Sequence, residues 1–288
     1  MDALSPDASK ASHSRYKLAR ELARLCPPPL GQEIALTGSA SLGLSDEHSD
    51  IELNFWTDTL PTPDERARWL REAGVAQITI DQTPIEDGSF WVTCQFQGIW
   101  IEAGWKEIGA QEKLLRAILA GEVIEHARLI LAFIIQHAVS LRSGGLLADW
   151  RQRMAEYPDA LQARLIEVAS ELWNFPHLLM SWWALPARDE QLRLHAILTR
   201  ELHNALRILF ALNRQWEPEW KWIAPLTGSL AIKPDNLAER INAVFSSPTE
   251  QRLRLCLQLI YETLLLVLPP RDVSLALATL EDSLRTHP

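Results

Sequence analysis

Residues 34–53 read IALTGSASLGLSDEHSDIEL, and this stretch decides the fold of the first half of the chain. Its first four residues predict a buried strand, which ends in the small-residue pair Gly38-Ser39. A turn of small residues lets backbone N–H groups approach a ligand closely, and the Ser39 hydroxyl adds a further donor. The pair therefore predicts a phosphate-facing surface.

The same stretch continues into a second strand that carries acids on one face. Side chains alternate across a strand, so Asp50 and Glu52 share a face while Ile51 beside them points to the core. Two adjacent carboxylates repel one another unless a cation neutralises them. Hard oxygen ligands of this kind suit Mg²⁺ that also binds phosphates, so the strand predicts a metal site.

A third acid follows the same logic in the apolar run from Ile99 to Trp105. Glu102 stands between two core-type residues, which makes it the exception in its strand. Three acids on two strands suit two Mg²⁺ ions roughly 3.5–4 Å apart, one activating an acceptor hydroxyl and one holding a triphosphate. In that arrangement Glu102 would help to deprotonate the acceptor.

Outward from this stretch, hydrophobic periodicity divides the chain into two halves. Before about Lys106 the apolar runs have strand length and are interrupted by helical segments over 14–25 and 64–73. The predicted strands cover 33–37, 51–56, 75–80, 90–96 and 99–105. Gln97-Gly98 between the last two predicts an antiparallel hairpin at one side of the sheet.

After Lys106 the strand signals fade, and long amphipathic segments predict a helical bundle. They cover 111–119, 125–141, 159–173, 189–213, 235–245, 249–266 and 274–284. The predicted fold class is therefore α+β, a mixed sheet with flanking helices followed by an all-α bundle. We expect domains over 1–108 and 109–288, with a cleft between them.

Composition and charge limit the classes of partner that the chain is expected to bind. The chain has 28 Lys and Arg against 37 Asp and Glu, a net charge of −9, which opposes non-specific binding to nucleic acid and to anionic membranes. A neutral or cationic small molecule is the partner we expect. The three cysteines lack metal or disulfide spacing, the N-terminus lacks a secretory signal, and the most apolar stretch, 129–139, is too short to span a bilayer. We expect a cytoplasmic protein.

A polar stripe runs along the long predicted helix over 189–213. Arg200, His203, Asn204 and Arg207 fall at i, i+3, i+4 and i+7. The stripe is either a solvated face or a cleft lining, in which Arg200, Asn204, Arg207 and the later Lys221 would bind a triphosphate. His195 and His203 lack a third ligand in this pattern, which disfavours zinc. Nearby tryptophans, Trp216, Trp220 and Trp222, would suit a nucleobase or a cationic acceptor.

Gly38-Ser39, ten intervening residues, Asp50-Ile51-Glu52-Leu53 and the later Glu102 resemble the minimal motif of the DNA polymerase beta-like nucleotidyltransferase superfamily, over residues 30–108. Gly43 and Ser49-Asp50 resemble bacterial aminoglycoside adenylyltransferases, in which a helical half follows the catalytic domain. The resemblance implies catalysis by 1–108, with 109–288 completing the substrate cleft. It also implies Mg²⁺-dependent transfer of a nucleoside monophosphate from ATP or another nucleoside triphosphate to a hydroxyl, with release of pyrophosphate. An aminoglycoside-like acceptor would connect the chain with antibiotic resistance.

Two departures from the family pattern affect the site. Leu42 stands near a position where many relatives carry Arg, so a phosphate or substrate contact is missing or supplied elsewhere. Glu52 and Glu102 are Glu where many relatives have Asp. The alternatives are a non-catalytic, antitoxin-like relative that retains the fold, or an enzyme that acts on a protein or RNA acceptor. The nucleotide base and the oligomeric state stay open.

Overall fold

The structure is a computed structural model that describes residues 3–85, 88–269 and 271–287. The chain forms two compact units. The first comprises residues 1–119 and 127–156, and the second comprises 120–126 and 157–288. These bounds differ from the expected division after residue 108, and the assignment of separate functions to the two domains stays a prediction.

The first unit alternates strands and helices before it becomes helical. Its elements in chain order are α1 (Lys10–Leu25), β1 (Glu33–Thr37), α2 (Gly38–Leu42), β2 (Ile51–Thr57), α3 (Pro63–Glu72), β3 (Ala76–Ile80), β4 (Phe90–Phe96), β5 (Ile99–Glu107), α4 (Ile108–Leu119), α5 (His126–His137), β6 (Val139–Arg142) and α6 (Leu146–Arg153). The Gly38-Ser39 turn is thus the start of a single helical turn. A capping box between Thr62 and Glu65 begins α3.

The described strands form one mixed sheet in the order β3-β4-β5-β2-β1-β6. Only β2 and β5 run parallel, and the other neighbouring pairs are antiparallel. The predicted hairpin is confirmed: β4 and β5 are joined by Gln97 at φ 50° and Gly98 at φ 81°. Two successive positive φ values are those of a turn whose twist matches the strands. With the helical second unit, this sheet confirms the α+β class.

One face of this sheet is the core of the first unit. The odd-numbered residues of β2 and the central odd-numbered residues of β5 are buried there, among them Phe55 and Trp105, whose rings stack with centroids 4.5 Å apart. Trp69 of α3 packs edge-on against both rings. Since side chains alternate along a strand, the even-numbered residues, including Glu52 and Glu102, lie on the opposite face.

The prediction of one helix over 125–141 is wrong at its C-terminal end. The helix α5 ends at His137, and Val139–Arg142 form β6, which pairs with the outer edge of β1. The backbone of β1 would otherwise present unpaired N–H and C=O groups at that edge. Arg142 then donates hydrogen bonds to the carbonyl oxygens of Gly31, Ala23 and Cys26, which fixes β6 to the end of α1.

The second unit is helical. Its helices are α7 (Asp159–Ser170), α8 (Pro176–Trp183), α9 (Gln191–Leu212), α10 (Trp220–Thr227), α11 (Leu237–Ser246), α12 (Thr249–Leu265) and α13 (Ser274–Thr286). The long helix α9 packs against α7 and α12 through an apolar core. Within the described residues, no helix is long and apolar enough to cross a membrane.

All three cysteines are buried free thiols. Burial raises the pKa of Cys26 and of Cys94 to about 12, and it raises the pKa of Cys256 as well. The thiols therefore stay protonated and unreactive near neutral pH, as expected of cysteines that only pack.

Candidate functional site

Gly38 and Glu52 meet directly. Gly38 has φ +63°, and a Cβ atom added to it would lie 2.4 Å from the carboxyl carbon of Glu52. No real side chain tolerates that distance, so the Glu52 carboxylate lies over bare glycine backbone. The antiparallel register supports this contact, since Thr37, just before Gly38, pairs with Glu52. The two halves of the sequence motif are therefore one structural feature.

Two acids of the motif, Glu52 and Glu102, share one face of the sheet. Glu52 and Glu102 are register partners on the parallel strands β2 and β5, which puts their backbones about 4.8 Å apart. Asp50 immediately precedes β2. Asp50 and Glu52 are half-buried, whereas Glu102 is exposed. Among the described residues these three do not form a close cluster of ligand atoms, so one ion would bind all three only after their side chains moved closer together.

Asn54 is a polar residue of this face that the sequence interpretation missed. Its side chain is 1% exposed, and its Nδ2 donates a hydrogen bond of 2.8 Å to Thr37 Oγ1. Its Oδ1 is buried and has no hydrogen-bond partner among the described residues. A signal was present, because Asp50, Glu52 and Asn54 alternate along one strand.

Trp91 bounds the same face beyond Glu102. A Cβ atom on Gly104 would lie 2.9 Å from the Trp91 ring, so the indole covers the bare backbone of β5. Trp91 and Gly104 are register partners. The signal for this contact was the glycine inside an apolar strand, which often marks a close approach. The buried Lys106 lies next on this face, with its Nζ 5.7 Å from the centroid of the Trp91 ring.

The loop between α2 and β2 is held by α1. Ser39 Oγ lies 3.0 Å from Ser45 Oγ, so the hydroxyl expected to face a phosphate is hydrogen-bonded within the protein. Arg15 is 5% exposed and donates to the backbone oxygens of Ser49 and Glu47. It thereby fixes the backbone next to Asp50. The burial of Arg15 could not be predicted from the sequence, because the sequence of α1 does not distinguish this arginine from the others in the helix.

The donor atoms of this face suit a hard cation. They are carboxylate oxygens together with the unpartnered amide oxygen of Asn54, and Mg²⁺ prefers oxygen ligands. Gly38 has no side chain, so the Glu52 carboxylate lies directly against the turn whose backbone N–H groups would bind a phosphate. The residues present therefore fit a Mg²⁺-phosphate group.

The remaining predicted site residues lie in the second unit, where each has internal partners. Arg200 donates from Nε to Glu201 Oε1 at 2.5 Å, and Asn204 donates to Glu201 Oε2 at 3.3 Å. Glu201 is fully buried and also accepts from Trp173. The guanidinium of Arg200 lies over the ring of Trp182, and its side chain is 51% exposed.

Arg207 and Lys221 are likewise engaged. Arg207 is 10% exposed and donates to Glu217 Oε2 at 3.1 Å and to the backbone oxygen of Ile124. Lys221 Nζ lies 3.3 Å from Glu219 Oε2 and also lies over the ring of Trp222. Contact of Arg200, Asn204, Arg207 or Lys221 with a nucleotide stays a prediction.

Comparison with known proteins gives two similarities. Residues 124–223, less than half of the chain, match the family described as "Domain of unknown function (DUF4037)". No curated protein matches. Among solved structures, the chain is similar to a nucleotidyltransferase-like protein from Exiguobacterium sibiricum 255-15, at 12% identity over 96% of this chain and 74% of that chain, with a TM-score of 0.38.

Proposed function

We propose that the chain is a Mg²⁺-dependent nucleotidyltransferase that moves a nucleoside monophosphate, AMP from ATP, to a hydroxyl group of an acceptor. The observation that carries the proposal is the Gly38–Glu52 contact, with Glu102 in register beside it. A bare glycine under one carboxylate of an acidic sheet face is an arrangement that structure alone does not require. Binding of a metal-bound triphosphate would account for this arrangement of glycine and carboxylate.

In this proposal Asp50, Glu52 and Glu102 hold Mg²⁺, which lowers the negative charge on the triphosphate when bound. The backbone N–H groups at the Gly38-Ser39 turn donate to phosphate oxygens. Glu102, the exposed acid, accepts the proton of the acceptor hydroxyl. The acceptor oxygen bonds to the α-phosphorus while the bond to pyrophosphate breaks. Positioning and charge stabilisation do most of this work.

The acceptor we propose is a small cationic molecule with a free hydroxyl, of the aminoglycoside type. The support is electrostatic: the chain has a net charge of −9, and the site itself presents carboxylates. Such a surface attracts cations and repels polyanions. The experiment described next also tests RNA and protein as acceptors.

The test uses ATP, GTP, CTP and UTP labelled at either the α- or the γ-phosphorus, with Mg²⁺ and panels of aminoglycosides, RNA and cell extract. We expect the α-label to enter an acceptor and the γ-label to leave as pyrophosphate. Asp50→Asn and Glu52→Gln should each lower the rate at least about 100-fold, the scale of losing one preorganised electrostatic contact. Glu107→Gln, at the exposed end of β5, is the matched control and should retain the rate.

Three results would contradict the proposal. Transfer of the γ-label to an acceptor would indicate a kinase. Equal rates in wild type, Asp50→Asn and Glu52→Gln would remove the acids from the chemistry. Failure of Mg-ATP to bind in calorimetry would favour a non-catalytic relative that retains the fold.

A further inference from the structure

His126, His203 and Glu217 form a second cluster, distinct in composition from the acidic sheet face. His203 lies on α9, Glu217 follows that helix, and His126 is the first residue of α5. One ligand atom from each lies within 4.8 Å of the other two. In the described part of the chain this is the one group of three His, Cys, Asp or Glu side chains that meets so closely.

Both imidazoles approach the same carboxylate oxygen. His203 Nε2 lies 2.5 Å from Glu217 Oε1, and His126 Nε2 lies 3.7 Å from it. The side chains are 12%, 14% and 4% exposed for His203, His126 and Glu217. Water is therefore largely excluded from a site that carries three potential metal ligands.

The second oxygen of Glu217 has a separate partner. Arg207 Nε donates to Glu217 Oε2 at 3.1 Å, which neutralises the carboxylate and fixes its orientation. Metal-binding carboxylates are usually held by an outer hydrogen bond of this kind. Because Arg207 already balances the charge of Glu217, the two imidazoles are not needed for neutralisation.

The surroundings complete the site. The carbonyl oxygen of Pro218 lies 2.9 Å from His126 Nε2, next to the cluster. The Trp220 ring packs against both imidazoles, with centroid distances of 4.1 Å to His203 and 5.9 Å to His126. An apolar wall beside nitrogen and oxygen donors is typical of a transition-metal site.

We propose that His126, His203 and Glu217 bind a transition-metal ion of the Zn²⁺ class. Two imidazole nitrogens and one carboxylate oxygen are a zinc donor set that leaves a fourth position for water or the Pro218 carbonyl. Mg²⁺ does not favour imidazole. Bonds of about 2.0–2.1 Å place tetrahedral ligand atoms about 3.3 Å apart, and the observed 2.5 and 3.7 Å lie on either side of that value. On binding, each Nε2 that carries a proton releases it to solvent.

The competing interpretation is a hydrogen-bonded network without metal. His203 would then donate to Glu217 and hold the segment after α9 against that helix, and His126 would donate to Pro218 and tie the first residue of α5 to the same segment. The two interpretations differ in one measurable property. Only a metal site takes up one ion per chain through these three side chains.

The test is titration of the full chain, without an affinity tag, with Co²⁺ in excess Mg²⁺, which occupies oxygen-only sites. We expect one Co²⁺ per chain, with the visible absorption of a four-coordinate ion, displaced by Zn²⁺. His126→Gln and His203→Gln should weaken binding by more than about 100-fold, since even outer partners of ligands cost about 10- to 100-fold. His195→Gln is the matched control, because His195 is an exposed histidine on the same helix.

A measurement on the unaltered chain guards against misfolded variants. In histidine side-chain ¹⁵N spectra, stoichiometric Zn²⁺ should shift the Nε2 signals of two of the eight histidines to metal-bound values. Uptake of less than one ion per chain, equal affinity in the two variants and wild type, or no shifted pair of Nε2 signals would overturn the proposal. Any of these results would leave the cluster as a hydrogen-bonded network.

Discussion

Gly38 is the residue on which the acidic site depends most closely. Its side-chain position is already filled by the Glu52 carboxylate, and its φ of +63° is one that other residues adopt with strain. The conformation and the close approach therefore both exclude a side chain. An exposed turn glycine with positive φ would carry only the first of these constraints.

Gly38→Ala should lower both stability and activity. The left-handed conformation costs of order 1 kcal/mol, and displacement of Glu52 adds a further cost while it moves a metal ligand. Gly74→Ala is the matched control, since Gly74 has φ +77° with nothing within 4 Å of an added Cβ. Urea unfolding and the label-transfer rate measure the two effects. Equal losses in the two variants would mean that the Glu52 contact is unimportant.

Arg207 and Arg200 should behave differently, although the sequence pattern treats them alike. Both arginines pair with a buried carboxylate, Arg207 with Glu217 and Arg200 with Glu201, but Arg207 is 10% exposed and Arg200 is 51% exposed. Arg207→Leu leaves Glu217 buried without its cation and should lower the free energy of unfolding by about 3–5 kcal/mol. Arg200→Leu should cost less, about 1–3 kcal/mol, because Trp173 and Asn204 still donate hydrogen bonds to Glu201 after the arginine is removed. Urea unfolding of the two variants measures both losses in the free energy of unfolding. Comparable losses would contradict the expected difference between the two arginines.

At the scale of elements, the sequence predicted what depends on local spacing. Strand alternation was enough to place Glu52 on the face opposite Ile51 and Leu53, and the helical period predicted the start of α9 to within two residues. Strand β6 was missed because its cause is not local. Val139 continues the apolar run of α5, and its strand conformation comes from pairing with β1, about a hundred residues earlier. The meeting of His126 with Glu217 was invisible for the same reason.

The contact between α4 and α6 makes a prediction about acid stability. Arg153 donates to Glu112 at 2.8 Å, and this hydrogen bond, helped by one from Trp150, holds the pKa of Glu112 below its ordinary value. A carboxyl group with a lowered pKa stabilises the fold above its unfolded pKa of about 4.3, and this stability is lost as the pH falls through the folded pKa.

Glu112→Gln should therefore be less stable than wild type at pH 7 and should lose less stability on acidification. The measurement is urea unfolding of both proteins between about pH 7 and pH 3, across the ordinary carboxyl pKa. Glu167→Gln is the control, because Glu167 makes a more exposed pair with Arg164 on one helix. Parallel profiles for wild type and Glu112→Gln would show that the contact is indifferent to pH.

At the scale of the whole molecule, the first compact unit is discontinuous in sequence. It continues past the sheet into α4, α5, β6 and α6, although residues 120–126 belong to the second unit. The change from strand to helix periodicity near residue 108 marks a change of secondary structure and not the end of this unit. Composition could not reveal this, because the helices of both units have similar amphipathic patterns.

A fragment of residues 1–156 should therefore fold, and one of residues 1–108 should not. The shorter fragment lacks β6, which covers the edge of β1, and it lacks Trp150, whose ring meets the fully buried Trp56. The shorter fragment also removes the hydrogen-bond donors of Glu33. This residue is 1% exposed and accepts hydrogen bonds from the backbone N–H groups of Gly144 and Leu146. A buried carboxylate without donors costs several kcal/mol, a large part of the stability of a small domain.

Dispersed amide NMR spectra and cooperative urea unfolding are expected for the 1–156 fragment and not for the 1–108 fragment. Cooperative unfolding of 1–108 would instead place the end of the folding unit where the strand pattern ends.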